Sequence, residues 1–273
     1  MSIESLAHLV GMLKRARPGK TTRNGIANIR GPPRSARADI AMIPLRDNVA
    51  RHRLSPINTL LIAVNAVVFI HEVALGSRVG AFVARYAMVP ALVSGAHLRT
   101  SVWIGRRPWP PLTLVTALFV HGSISHLVGN MLYLFIFGPA VEERSGAMRY
   151  LWFYLASGLA SGAATVAMAP ASRVPVIGAS GAIAGVLGAY FVLYPRGRIL
   201  ALFPPFFLFE LPAVVYLIFW FAVQLYWGIV SGAAGILVGG VAWWAHVGGF
   251  LFGVAAGPLV VREPPRRRIG RGQ

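Results

Sequence analysis

The chain contains no cysteine, which excludes disulfide staples and thiolate metal sites. It is poor in acid: eight Asp and Glu stand against 26 Lys and Arg in 273 residues. Charge of either sign is scarce, at 12% of residues, while 56% are hydrophobic. So little charge excludes an ordinary soluble domain, and so much apolar side chain suits a polytopic membrane protein. The net charge of +18 does not mark a nucleic-acid binder, because the basic residues are segregated between long apolar segments. No internal repeat stands out, which argues against a transporter assembled from inverted repeats.

What is present is a set of apolar stretches at approximately 56–75, 122–141, 149–170, 178–195, 209–230 and 239–261. A helix crossing about 30 Å of hydrocarbon needs roughly 20 residues. The predicted fold is therefore all-α: a polytopic six-transmembrane-helix bundle. The fourth stretch is short, as suits a helix that starts below the membrane surface. The loops alternate in charge, with twenty Lys and Arg on the side of the termini and six on the other. The positive-inside rule then puts both termini in the cytoplasm.

Three segments follow. Residues 1–54 are basic, with scattered Gly and Pro and no sustained apolar face, and are predicted to be a mostly disordered cytoplasmic segment. Their Arg-rich, acid-poor character also fits an organellar transit peptide, but a solvated basic tail is favoured about four to one. The helix bundle occupies 55–261, and residues 262–273 form a basic cytoplasmic tail. The leading segment is no secretory signal, because the first long apolar run lies too far in. Met42-Ile43-Pro44-Leu45-Arg46-Asp47 is a candidate start of the functional unit, with Met42 as the initiator. The connection over 76–121 carries Trp103, Pro108, Trp109, Pro110 and Pro111. A connection of that length is usually functional, and at membrane depth it must be buried by protein or face a water cavity.

Three polar islands interrupt the apolar stretches: His126-Leu127-Val128-Gly129-Asn130, Gly178-Ala179-Ser180-Gly181 and Ala245-His246-Val247-Gly248-Gly249. Polar side chains inside a bilayer are costly and mark sites. The second, fourth and sixth stretches run in the same direction, so all three islands fall in the outer half of the bilayer. Gly181 and Gly185 are spaced i,i+4, and His246, Gly249 and Gly253 share a helix face. Small residues at that spacing let membrane helices approach closely. Such packing brings the Ser180 hydroxyl within reach of the His246 imidazole, and a serine needs a base to become a nucleophile. No Asp or Glu lies near either residue, which predicts a Ser–His dyad without an acidic third member. His126 and Asn130, at i,i+4, project together as donors for an oxyanion, along with the Ser180 backbone N–H. His121 either joins that pocket or orders the loop.

Each feature alone has a plainer explanation. A serine between glycines is usually packing, a lone intramembrane histidine is more often a bundle hydrogen bond, and a His–Asn pair is about even. Their joint occurrence at one depth favours a site. The glycine pattern around Ser180 is not the Gly-x-Ser-x-Gly elbow of soluble hydrolases. The histidines lack a His-Glu-x-x-His pattern or carboxylate ligand, so neither a metal nor another cofactor is expected. Glu142 is expected to tie down the Arg144 loop. Asn65, His71, Glu72, Glu210 and Gln224 have no evident partner in the constellation.

Taken in order, His121-Gly-Ser-Ile-Ser-His126-Leu-Val-Gly-Asn130, Gly138-Pro-Ala-Val-Glu142, Gly178-Ala-Ser180-Gly181 and Ala245-His246-Val-Gly-Gly249 resemble the rhomboid family of intramembrane serine proteases. The resemblance covers about residues 42–261. The Ile43-Pro-Leu-Arg-Asp47 opening is similar to bacterial members. The resemblance implies a six-helix bundle with a water-filled cavity open to the outside. The absence of cysteine and the six-span layout favour a bacterial plasma membrane, with the cavity on its extracytoplasmic side, over an organellar membrane, which stays open as the alternative. The resemblance also implies Ser180 as nucleophile, His246 as general base, and His126 and Asn130 in the oxyanion hole. Gly178 and Gly181, beside the serine, and His121 are supporting candidates. The implied reaction is hydrolysis of a peptide bond in or beside the transmembrane helix of a single-span substrate. The implied partners are that substrate and membrane lipid, with no nucleic acid and no fixed oligomeric state. The connection over 76–121 would sit partly in the outer leaflet, and the fifth span is the implied lateral gate.

Two positions depart from the family. Leu112-Thr113 stand where some members carry Trp-Arg. Ala184 stands where some carry a Tyr stacked on the base, which leaves His246 to be held by other groups such as Trp243 or Trp244. Two other functions compete: a protease-dead relative that binds transmembrane helices, and a channel or small transporter. Intact Ser180 and His246 argue against the first. The absence of a chain of ionisable residues through the bilayer argues against the second.

Overall fold

A computed structural model describes residues 42–51, 54–95, 109–203, 207–234 and 240–261. The tail 262–273, most of the leading segment, and Trp103 and Pro108 of the first long connection lie outside the described residues.

Strand β1 (Ile43–Asp47) leads to helix α1 (Pro56–Ala74) and the short helix α2 (Val79–Tyr86). Single helical turns follow at Pro90–Val93 and Thr113–Thr116. Then come α3 (Ile124–Ser145), α4 (Ala147–Met168), α5 (Ser180–Leu193), strands β2 (Arg198–Phe203) and β3 (Phe207–Pro212), α6 (Ala213–Ala234) and α7 (Trp243–Ala256). Gly146, at φ 80°, breaks the chain between α3 and α4 where a side chain would be strained.

Among the described residues five helices are long and apolar enough to cross a membrane: α1, α3, α4, α6 down to Gly232, and α7 with its continuation to Val260. The sixth expected span, α5, has 14 residues. At a rise of about 1.5 Å per residue it is about 21 Å long, short of the hydrocarbon thickness. It is apolar all round, and every residue from Gly181 to Tyr190 is buried. A helix with no polar face belongs in the centre of a bundle, and α7, α4 and α3 pack around it.

The all-α expectation omits a three-stranded antiparallel sheet in the order β1-β2-β3. Ile43 pairs with Leu202 and Asp47 with Ile199, while Arg198 pairs with Pro212 and Phe203 with Phe207. The fifth span was expected from residue 209, but Phe209–Pro212 belong to β3 and the helix starts at Ala213. The run Arg198–Pro212 is almost wholly apolar, and apolar content alone does not separate strand from helix.

Residues 42–51, part of the leading segment predicted as disordered, are ordered here. Arg51 donates to Asp47 Oδ1 at 2.5 Å and to the Ile136 carbonyl at 2.8 Å, and the Tyr190 hydroxyl donates to Asp47 Oδ2 at 3.0 Å. The Tyr216 hydroxyl donates to the Met42 carbonyl at 2.9 Å. These partners lie on α3, α5 and α6, so no local pattern in the segment announces them. Burial raises the Asp47 carboxyl above its ordinary pKa, and Arg51 acts in the opposite sense.

Glu142 turns its side chain to α1 and not to the Arg144 loop, whose Gly146 N–H its backbone carbonyl accepts at 2.7 Å. Its carboxylate accepts the backbone N–H groups of Ile57 at 3.1 Å and Asn58 at 2.8 Å. Those are orphan donors in the first turn of α1, which has Pro56 at its start and no capping bond from Ser55. A carboxylate there satisfies both donors and the positive end of the helix dipole. Asn58 in turn donates to the Leu134 carbonyl and accepts from the Tyr150 hydroxyl, which joins α1, α3 and α4.

Candidate active site

The site is assembled from helix starts. Ser123 caps α3, its hydroxyl accepting the His126 N–H at 3.1 Å. That fixes the first turn, from which His126 projects, with Asn130 one turn later, into a cavity of about 550 Å³. Ser180 is the first residue of α5, and His246 lies in the first turn of α7. Both line the same cavity.

Ser180 Oγ lies 2.8 Å from His246 Nε2. The helices that carry them come together backbone to backbone. A Cβ at Gly249 would run into the Gly181 carbonyl oxygen, and one at Gly253 into that of Gly185. On its other side Gly181 leaves room for the Ser161 hydroxyl of α4. Gly178, just ahead of α5, has φ +112°, and a Cβ there would lie 2.6 Å from the His126 ring. The turn before Ser180 therefore seats directly on His126, with Asn130 Nδ2 next to it.

His121 sits behind Asn130. Its backbone N–H donates to the Glu72 carboxylate of α1, 3.1 Å from Oε1. Its Nδ1 lies 3.3 Å from the Phe119 carbonyl, which can only accept, so Nδ1 carries the proton. Nε2 is then the acceptor for the Asn130 amide at 3.0 Å. Burial, with a smaller contribution from His126, pulls the His121 pKa down to about 4, so the ring is a neutral acceptor near pH 7. His121 orders the loop through Glu72 and also orients Asn130.

The neighbours of His246 differ in part from the aromatics expected. Trp243 stands edge-on, 6.2 Å between ring centroids. Trp244 instead packs over Gly228 of α6. Trp220 of α6, not singled out by the sequence, lies at 6.0 Å and 34° from the imidazole. Ala184 sits deeper, against Gly249. The sequence shows no partner for Gln224 or Glu72. Gln224 Oε1 is 2.7 Å from His246 Nδ1, and Glu72 holds His121. A lone buried Gln in an apolar helix was the available signal. Which helix it faces is set by packing and not by spacing. Among the described residues no three His, Cys, Asp or Glu side chains converge on a metal-sized site.

Chemically, the cavity holds a hydroxyl beside an imidazole, with an amide donor and a second imidazole against the adjoining turn. The rhomboid domain family matches residues 108–263. The chain is 30% identical over 166 residues to rhomboid protein 1, mitochondrial, of Saccharomyces cerevisiae, covering 59% of this chain and 45% of that protein. It is 43% identical over 76 residues to rhomboid protease GluP of Bacillus subtilis, covering 28% of this chain and 14% of that one. It is 31% identical over 152 residues to the human presenilin-associated rhomboid-like protein, mitochondrial, covering 53% of this chain and 36% of that one. The chain spans less than half the length of these relatives.

Proposed function

Because the chain belongs to the rhomboid family, we propose that it is an intramembrane serine endopeptidase that cuts peptide bonds in or beside transmembrane helices of single-span membrane proteins. The observation that carries this reading is the 2.8 Å approach of Ser180 Oγ to His246 Nε2 inside a cavity among membrane helices. In the proposed reaction His246 Nε2 takes the Ser180 proton as Oγ attacks the scissile carbonyl carbon. The resulting oxyanion accepts from the Asn130 amide, from His126 and from the Ser180 backbone N–H. That N–H is one of the orphan donors of the α5 N-terminus, where the helix dipole is positive. Collapse of the intermediate breaks the C–N bond, and His246 returns the proton to the leaving amine. Water, activated by His246, then releases the acyl group from Ser180.

The cavity opens, in this proposal, to the extracytoplasmic side of a plasma membrane of the bacterial type, with both termini cytoplasmic. Support for the orientation comes from twenty Lys and Arg on the side of the termini against six on the other. Helix α6 is the proposed lateral gate.

The test uses protein reconstituted in liposomes with a model single-span substrate. The wild type should release a fragment cut near the outer membrane face, and Ser180→Ala should release none. Equal cleavage by both would remove Ser180 from the reaction.

A further inference from the structure

We propose that Gln224 is a positioning residue for the general base, a neutral third member behind Ser180 and His246. The assignment rests on the protease reading above. Gln224 lies mid-way along α6 between Val223 and Leu225 and is 6% exposed. An amide buried among membrane helices is costly unless both its ends are satisfied. Here both are, and the partners fix which end points where. Gln224 Nε2 lies 3.2 Å from the Trp220 carbonyl one turn earlier. A carbonyl oxygen only accepts, so the NH2 group faces Trp220 and the amide oxygen faces His246.

The consequence is a tautomer. Gln224 Oε1 is 2.7 Å from His246 Nδ1 and can only accept, so Nδ1 carries the hydrogen. Nε2, 2.8 Å from Ser180 Oγ, is left with its lone pair toward the hydroxyl it must deprotonate. The opposite tautomer would set two acceptors face to face at Nδ1 and leave no base at Nε2. In serine hydrolases with an acidic third member a carboxylate does this work. Here an amide carbonyl does it without adding a charge to the bilayer interior. The same helix turn supplies Trp220, whose ring lies 6.0 Å from the imidazole and restricts its rotation. Ala184 offers no ring for that purpose, so α6 takes over the orientation of the base from α5.

The experiment compares Gln224→Met, similar in volume but without a carbonyl, with Gln224→Glu, which restores an acceptor. Each is purified full length, checked for monodispersity and thermal unfolding, and assayed by cleavage of a single-span substrate and by the rate of fluorophosphonate labelling at Ser180. Gln224→Met should lower kcat by about tenfold or more, the scale set by one lost hydrogen bond and a misoriented base, with KM within about twofold of wild type. Its labelling rate should fall by the same factor, and Gln224→Glu should recover most of both. Should Gln224→Met not fold, Gln224→Ala is read in its place. Wild-type kcat and labelling in Gln224→Met would overturn the assignment and leave the protease reading standing. Equal losses in Gln224→Met and Gln224→Glu would overturn it too, because they would mark a packing role alone. A wild-type chain that neither labels nor cleaves would overturn the protease reading and the assignment together.

Discussion

At the scale of single residues, polarity in an apolar helix is the readable signal, and its direction is not. Ser180, His246, His126 and Asn130 stand out because polar groups are scarce at bilayer depth. Small-residue spacing placed the first two within reach, and the distance is 2.8 Å. Gln224 stands out on the same ground, yet spacing does not tell that it points at α7. Asn130 shows how far a residue depends on its surroundings. Its amide is turned by His121, itself pinned by Glu72 from α1 and kept neutral by burial. If Asn130 donates to a developing oxyanion, Asn130→Ala should lower kcat by roughly 10²–10³ with little change in KM. Steady-state kinetics on reconstituted protein measure this, and a rise in KM at constant kcat would assign Asn130 to substrate binding instead.

At the scale of elements, the helices were legible from hydropathy and the sheet was not. Helices α1, α3 and α4 begin and end within a few residues of the expected bounds, because a long apolar run can satisfy its backbone in a membrane only as a helix. Strands β2 and β3 are equally apolar, and β3 passes directly into α6, so an apolar count merges the two. Strand β1 and the residues flanking it are held by pairing to β2, by the Tyr190 and Tyr216 hydroxyls of α5 and α6, and by the bond from Arg51 to the Ile136 carbonyl of α3, none of which the segment's own sequence reveals. The contact between α5 and α7 is the element-scale feature on which the site depends. At Gly253 the obstacle to a side chain is the backbone of Gly185, which cannot swing aside. Gly253→Val should therefore destabilise the protein by about 1–3 kcal/mol, the usual cost of overpacking, and separate Ser180 from His246. Thermal unfolding in detergent and cleavage assays should both show a loss, and unchanged stability would mean that the helices do not pack this closely.

At the scale of the whole molecule, a short central helix leaves room for a polar cavity among membrane helices. Helix α5 has 14 residues, so at least one of its ends falls short of a membrane surface. Its orphan backbone donors then need partners or water, and the end that starts at Ser180 borders the cavity. Around it, Glu142, Asn58 and Tyr150 tie α1, α3 and α4 together near the other end of α3. The most direct measurement is fluorophosphonate labelling of the reconstituted protein, with the modified residue identified by peptide mass spectrometry. A single adduct on Ser180 is expected in the wild type, and its loss in His246→Ala. No adduct on Ser180, or an equal rate of labelling without His246, would contradict it.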